Sequence, residues 1–292
     1  WDWHQKITFL SMMFTKKILR KLLLWHLYQE EKWLRLLLKI ASHLIKYYIL
    51  LVMKELGQNS WVIVNLLRWQ NMLKRNFLYL LFFYSIYNFF IFFNWYLGEK
   101  QIVIEEAYIL SLKSSLPLFL FIILTHFFYH HNDSDAAKVV SYPPLIFLFS
   151  SNSGFLLATT NMYYLQLYKI PDFFDLFRDS TLGLIFIITA IVIISSALKV
   201  FKLNSEDPNP TTKSTQIFCY GIYKYSRNPM YLGLILFQVG LGMILSMTHI
   251  IFFSLFTYLA YRYGVIKKEE DYLNEKFGQS YKKYMQKTRR WF

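Results

Sequence analysis

The chain has 292 residues, of which 55% are hydrophobic, 20% aromatic and 17% charged. A soluble domain of this length carries more charge on its surface, so this composition excludes an ordinary soluble protein and indicates an integral membrane protein. The single cysteine, Cys219, excludes an intrachain disulfide and a cysteine cage for a metal, and we expect it to be small and buried.

Basic residues are concentrated at both ends of the chain. Residues 1–76 carry 13 Lys and Arg against 4 acids, residues 199–292 carry 14 against 6, and residues 77–198 carry 5 against 8. Because the basic blocks flank apolar spans, the net charge of +14 favours a positive-inside topology and attraction to anionic lipid over nucleic-acid binding. The chain starts at Trp1, so we expect a removed leader or a missing segment, as in an organelle or secretory protein.

Residues 1–76 are predicted to form a basic amphipathic helical extension. Apolar residues recur near helical spacing between Leu34 and Tyr48, which leaves Arg35, Lys39 and Lys46 on the other side. Helices of this kind lie along a membrane surface or against a partner protein. A solvated basic face with no specific partner is the alternative that the sequence leaves open.

Residues 77–179 are predicted to contain three transmembrane helices, at Phe77–Leu97, Tyr108–Tyr129 and Leu145–Leu165. His126 and His130 share a helix face between the second and third spans, and Asp133 and Asp135 follow them closely. These residue types can bind a metal, but loop histidines beside aspartates are more often solvated, and we predict no metal site.

Residues 180–292 are predicted to form one region with a fourth span, Thr181–Val200, and a helical hairpin. The apolar run from Met230 to Tyr263 is too long for one pass, and polar residues 246–249 break it. Gly233 and Gly240 lie on one face, where they would allow close packing of the hairpin arms. The fold prediction is therefore an all-α membrane protein with about six transmembrane helices, with both termini on the inner side.

Two polar blocks flank the hairpin on the inner side of the predicted membrane. The first contains Tyr223, Arg227, Asn228 and Tyr231, and the second begins with Glu269 and Glu270. A cation at a membrane boundary needs a carboxylate or an anionic ligand, and aromatic side chains supply faces for a ring or a cation. On residue chemistry alone, the blocks suit either a zwitterionic cofactor with an aromatic ring or a structural ion pair that closes the hairpin.

The spacing of these blocks resembles that of the membrane methyltransferase superfamily. GIYKYSRNPMYLG at 221–233, an apolar hairpin and EEDYLNEKFGQSYKKY at 269–284 match its two linked motifs, and the resemblance covers about residues 180–292. The superfamily contains isoprenylcysteine carboxyl methyltransferases and phospholipid methyltransferases. The resemblance implies S-adenosylmethionine as cofactor, Arg227 and Glu269 as catalytic residues, and cofactor contacts from Tyr223, Arg227, Asn228, Tyr231, Glu269 and Glu270. It also implies a lipidic acceptor, a prenylcysteine carboxylate or a phospholipid amine, that enters laterally from the bilayer.

Asn228 departs from the family pattern, in which many members have histidine. Asparagine keeps a hydrogen bond but does not titrate near neutral pH. This departure and the long N-terminal extension motivate a second hypothesis, in which the chain is a catalytically silent member of the fold. It would then be a structural accessory subunit of a larger organellar complex, held by residues 1–76. We expect the mitochondrial inner membrane or the endoplasmic reticulum as its location, with the termini on the matrix or cytosolic side.

Overall fold

A computed structural model describes residues 60–98 and 102–291, with side chains from residue 67 onward. The chain divides into two compact units, Trp1–Lys74 and Arg75–Phe292. Residues 60–76 are helical, and the rest of the predicted N-terminal extension lies outside the described residues. Its membrane-surface or partner-binding role stays a prediction.

All regular secondary structure in the described ranges is helical, which confirms the predicted all-α class. The α-helices are α1 (Ser60–Tyr96), α2 (Ile104–Tyr129), α3 (Pro143–Thr160), α4 (Ser180–Leu203), α5 (Pro229–Ile244), α6 (Thr248–Ala260), α7 (Lys267–Phe277) and α8 (Gln279–Lys287). π-helical turns follow α3 and α6, at Asn161–Leu165 and Tyr261–Ile266, and 3-10 turns lie at Asp172–Arg178 and Gly221–Lys224.

Four helical segments of the described residues are long and apolar enough to cross a membrane: Leu67–Tyr96, Ile104–Tyr129, Ser180–Leu203 and Thr248–Phe277. Helix α5, with 16 residues, is apolar but shorter. Helix α3 is continuous, but serines and an asparagine interrupt its apolar sequence. The predicted count of six spans is therefore approximate. Helix α1 begins well before the predicted Phe77, because Arg68, Lys74 and Arg75 are good helix formers and do not end the helix.

Helices α4 and α5 pack closely through glycines. A Cβ atom at Gly183 would lie 2.9 Å from the carbonyl oxygen of Gly240, and one at Gly240 would lie 2.6 Å from that of Gly183. Gly233 likewise faces the Ile194 side chain of α4. The expectation of close packing was right, but the partner of Gly233 and Gly240 is α4 and not the other arm of the hairpin.

The hairpin of α5 and α6 is held to α3 by a buried polar network. The Gln238 side chain is fully buried; its Nε2 donates to Ser150 Oγ at 3.0 Å, and its Oε1 accepts from Thr257 Oγ1 at 2.6 Å. Hydrogen bonds between helices satisfy polar groups that lipid cannot. The middle of α5 is thereby held against α3 and α6. Cys219, which lies before α5, is exposed and not buried as expected, because it lies in the loop between α4 and α5.

Candidate functional site

A cleft beside the first turn of α5 brings together all six residues predicted for the site. It encloses about 760 Å³ including its mouth. Its walls include Tyr223, Arg227, Asn228, Tyr231, Glu269 and Glu270. Two local features place the first motif there: Gly221 has a φ of +61°, which favours glycine, and Pro229 occupies the first turn of α5, where its missing N–H costs nothing.

Tyr231 and Glu269 join the start of α5 to α7. The Tyr231 hydroxyl is buried and donates to Glu269 Oε2 at 2.8 Å. Among the described residues, Glu269 has no cationic partner, and its Oε1 accepts no hydrogen bond. A half-buried carboxylate in this state is costly, and a cation or a donor from a ligand would offset that cost.

Arg227 and Glu270 form a second pair, and here the carboxylate is fully compensated. Arg227 Nη2 lies 2.7 Å from Glu270 Oε1, and both side chains are only 10% exposed. Arg227 Nη1 donates to the backbone carbonyls of Met285 at 3.2 Å and Thr288 at 2.6 Å. The guanidinium group is thus bonded to Glu270 and to the backbone at Met285 and Thr288, as in a residue that positions others. Its predicted catalytic role stays a prediction.

The last described residues, 288–291, form a C-terminal strap along the first motif. The Arg227 N–H donates to the Arg289 carbonyl at 3.0 Å, and Ser226 forms an isolated bridge with Arg289. The guanidinium of Arg290 contacts Glu270, so that this carboxylate receives two arginines. Trp291 packs on Tyr258, with ring centroids 5.6 Å apart. Sequence reasoning missed the strap; the basic, aromatic ending TRRWF was the available signal.

Asn228 lies at the N-cap of α5, but its side chain does not cap the helix. Its Nδ2 donates instead to the Arg290 carbonyl at 3.1 Å. The amide nitrogen is used by the strap, and the side-chain oxygen is the acceptor that remains for the cleft. Asn228 therefore serves this arrangement as a hydrogen-bonding group that does not titrate.

Three buried tyrosines complete the inner wall of the cleft. Burial raises the pKa of the Tyr223, Tyr281 and Tyr284 hydroxyls, so they stay neutral. The Tyr284 hydroxyl donates to the Tyr223 carbonyl at 2.7 Å, which ties α8 to the first motif. Tyr281 and Tyr284 belong to the second motif, but they were not among the residues predicted for the site.

The loop between α4 and α5 forms another wall of the cleft, with Glu206, Pro208, Ser214, Gln216 and Ile217. Tyr272 of α7 holds it: its hydroxyl accepts from the Ser214 N–H at 3.2 Å and donates to the Asp135 carbonyl at 2.9 Å. Lys276 hydrogen-bonds Asp135 and lowers the pKa of that exposed carboxyl. Asp135 therefore contributes to this wall. Within the described residues, no three His, Cys, Asp or Glu side chains are grouped as a metal site.

An apolar side cavity adjoins the cleft and is lined by α4, α5, the start of α3 and the loop at 208–210. It encloses about 860 Å³ including its mouth. Ile194 and Leu198 of α4 and Leu234 of α5 line it, and Met230 and Tyr231 are shared with the cleft. Helix α4 is one of the segments long and apolar enough to cross a membrane, so the apolar lining continues from the cleft to that helix.

Comparison with known proteins agrees with the position of the cleft. A search of curated proteins found no match. The family model of the phospholipid methyltransferases matches residues 179–280, from the N-cap of α4 into α8, and this range contains all six predicted site residues. The match supports a membrane methyltransferase. Residues 179–280 are therefore similar to the phospholipid methyltransferases, which agrees with the resemblance to the membrane methyltransferase superfamily.

Proposed function

We propose that this chain is a membrane methyltransferase that uses S-adenosylmethionine and methylates a phospholipid amine. The observation that carries the proposal is the pairing of charges in the cleft. Both arginines are on Glu270, whereas Glu269 keeps one carboxylate oxygen for a ligand. A family match over residues 179–280 supports the same class of reaction.

The residues of the cleft fit this cofactor. Its amino-acid part carries an ammonium group, for which Glu269 is a partner, and its adenine ring needs flat apolar surfaces of the kind that tyrosines offer. When bound, S-adenosylmethionine supplies a methyl group on a positively charged sulfur. Tyr231 holds Glu269 in place, and Arg227 and Glu270 fix the wall behind it.

Charge favours the amine over the prenylcysteine carboxylate as acceptor. A carboxylate acceptor needs a free cation, but the guanidinium groups of Arg227 and Arg290 are both paired with Glu270. An amine must lose a proton before its lone pair forms the new C–N bond as the C–S bond breaks. The amine would react from its neutral form, with its proton released to water, while Glu269 Oε1 stays with the cofactor ammonium.

The lipid chains of the acceptor would occupy the side cavity, whose lining on α4 and α5 is apolar. Its shared wall at Tyr231 would bring the headgroup to Glu269. Alignment of the two reactants and exclusion of water would then supply much of the rate enhancement, since methyl transfer is an in-line displacement.

The test measures S-adenosylmethionine binding by calorimetry and methyl transfer to phosphatidylethanolamine and to a prenylcysteine, with the protein purified in detergent. We expect binding, and transfer to the amine only. Leu234→Trp should block transfer and leave cofactor binding intact, whereas Leu232→Trp, nearly opposite on α5 and outside both linings, should change neither. No binding at millimolar cofactor would refute the enzyme and favour the silent structural subunit.

A further inference from the structure

We propose that Arg290 is a positioning residue of the cleft and that the C-terminal strap, residues 288–291, holds Asn228 and Glu270 in place in the cleft wall. The family match ends at residue 280, so it assigns no role to this segment. The link to ligand binding rests on the proposed function, whereas the structural part of the proposal does not.

The backbone of the strap is bonded to the first motif over three consecutive residues. Ser226 Oγ and Asn228 Nδ2 both donate to the Arg290 carbonyl, at 3.3 and 3.1 Å, and the Arg227 N–H donates to the Arg289 carbonyl. A shift of the strap would therefore withdraw the acceptor of the Asn228 amide. The orientation of a cleft residue thus depends on a segment outside the second motif.

The Arg290 side chain is what anchors the strap to the carboxylate. Its Nε lies 3.2 Å from Glu270 Oε1, and its Nη2 contacts Oε2. The Glu270 side chain is 10% exposed and that of Arg290 34%, and both arginines share Oε1 of Glu270. Bidentate pairing of this kind fixes geometry as well as charge. With Glu270 neutralised in this way, Glu269 is the one of the two adjacent glutamates that remains for the ligand.

Arg289 provides a matched comparison within the strap itself. It is adjacent, has the same charge and is exposed, and its side chain makes no hydrogen bond or ion pair with the described residues. Its backbone takes part in the strap, and replacing its side chain leaves that contact unchanged. The two arginines therefore separate the effect of the Glu270 contact from the effect of lost positive charge.

The experiment compares Arg290→Gln and Arg290→Lys with Arg289→Gln in the full chain. Hydrogen exchange of peptides covering 221–231 and 281–292 reads the strap without any ligand, and calorimetry gives the dissociation constant of S-adenosylmethionine. Arg290→Gln should raise exchange in both peptides and weaken binding about tenfold, the effect of one charged hydrogen bond. Arg290→Lys should restore part of both, and Arg289→Gln should match the wild type.

Equal exchange in Arg290→Gln and Arg289→Gln would overturn the positioning role. Faster exchange with unchanged binding would show that the strap is anchored but that the cleft does not depend on it, which also refutes the proposal. If the wild-type protein binds no cofactor, the proposed function fails, while the exchange comparison still decides whether Arg290 holds the strap. If Arg290→Gln does not fold, Arg290→Lys carries the same comparison.

Discussion

Replacement of Glu269 by Gln should weaken ligand binding without weakening the fold. The substitution keeps the shape of the side chain and an oxygen that accepts from Tyr231, which now lies 2.8 Å from Oε2. It removes a charge that has no cationic partner among the described residues. Lower ligand affinity with unchanged or higher stability would identify a ligand-binding carboxylate, whereas lower stability would identify a structural one.

The magnitude follows from the hydrogen bonds involved. A hydrogen bond to a charged group contributes about 1.5–3 kcal/mol, so loss of the contact to a ligand ammonium should raise the dissociation constant roughly 10- to 150-fold. In the ligand-free protein, a neutral amide relieves the burial of an unpaired charge. We therefore expect the free energy of unfolding to change by less than about 1 kcal/mol or to rise.

The assay pairs calorimetric binding of S-adenosylmethionine with thermal unfolding in the same detergent. Glu275→Gln is the control, because it is the same substitution in the same helix, at an exposed position of α7. A Glu269→Gln protein that unfolds several degrees earlier and binds as tightly as the control would show that Glu269 holds the fold together and does not face the ligand.

Three further substitutions test neighbouring parts of the site and the bundle. Tyr231→Phe should lower cofactor affinity by about threefold to tenfold, measured by calorimetry, since it removes one hydrogen bond to the carboxylate; an unchanged affinity would contradict this. Arg227→Lys should destabilise the protein by about 2–4 kcal/mol in denaturant unfolding, because lysine cannot reach the Thr288 carbonyl and the carboxylate together; a loss below about 0.5 kcal/mol would refute it. Gly154→Ala should lower the thermal midpoint, because a Cβ there would lie 2.7 Å from Ile250 Cα; an unchanged midpoint would show that α3 and α6 separate easily.

The apolar helices could be predicted from the sequence because each lies in an apolar run with breaks; α7 and α8 are charged and lie outside such runs. The turn between α5 and α6 follows Ile244, close to the predicted position, and Ser246 adopts a positive φ in it. The sequence did not predict which helices pack together. Gly233 and Gly240 indicate close packing but do not indicate which helix packs against them. Period and composition are local properties, whereas the contact with α4 depends on the whole bundle.

The same limit applies to the site. The motifs predicted the residues that meet in the cleft. They did not predict which arginine pairs with which glutamate, because that depends on residues outside the motifs. Arg290 pairs with Glu270, 20 positions away, and lies outside the matched family segment. No sequence spacing predicts this contact. Without that contact, Arg227 is an equally good partner for Glu269 or Glu270. The geometry alone distinguishes them.

This allocation also bears on the choice between an enzyme and a silent subunit. A scaffold with no ligand gains nothing from a carboxylate such as Glu269, which is half-buried and bonded to one phenol, since the arrangement costs free energy of folding. Glu270 shows that this chain can compensate a carboxylate fully, with Arg227 on one side and Arg290 on the other. That only one of two adjacent glutamates is compensated fits the proposed function, in which the other binds a cation from outside the chain. Asn228 fits the same account, because its amide donates to the strap. A histidine in its place would, when protonated, add a positive charge beside the two arginines.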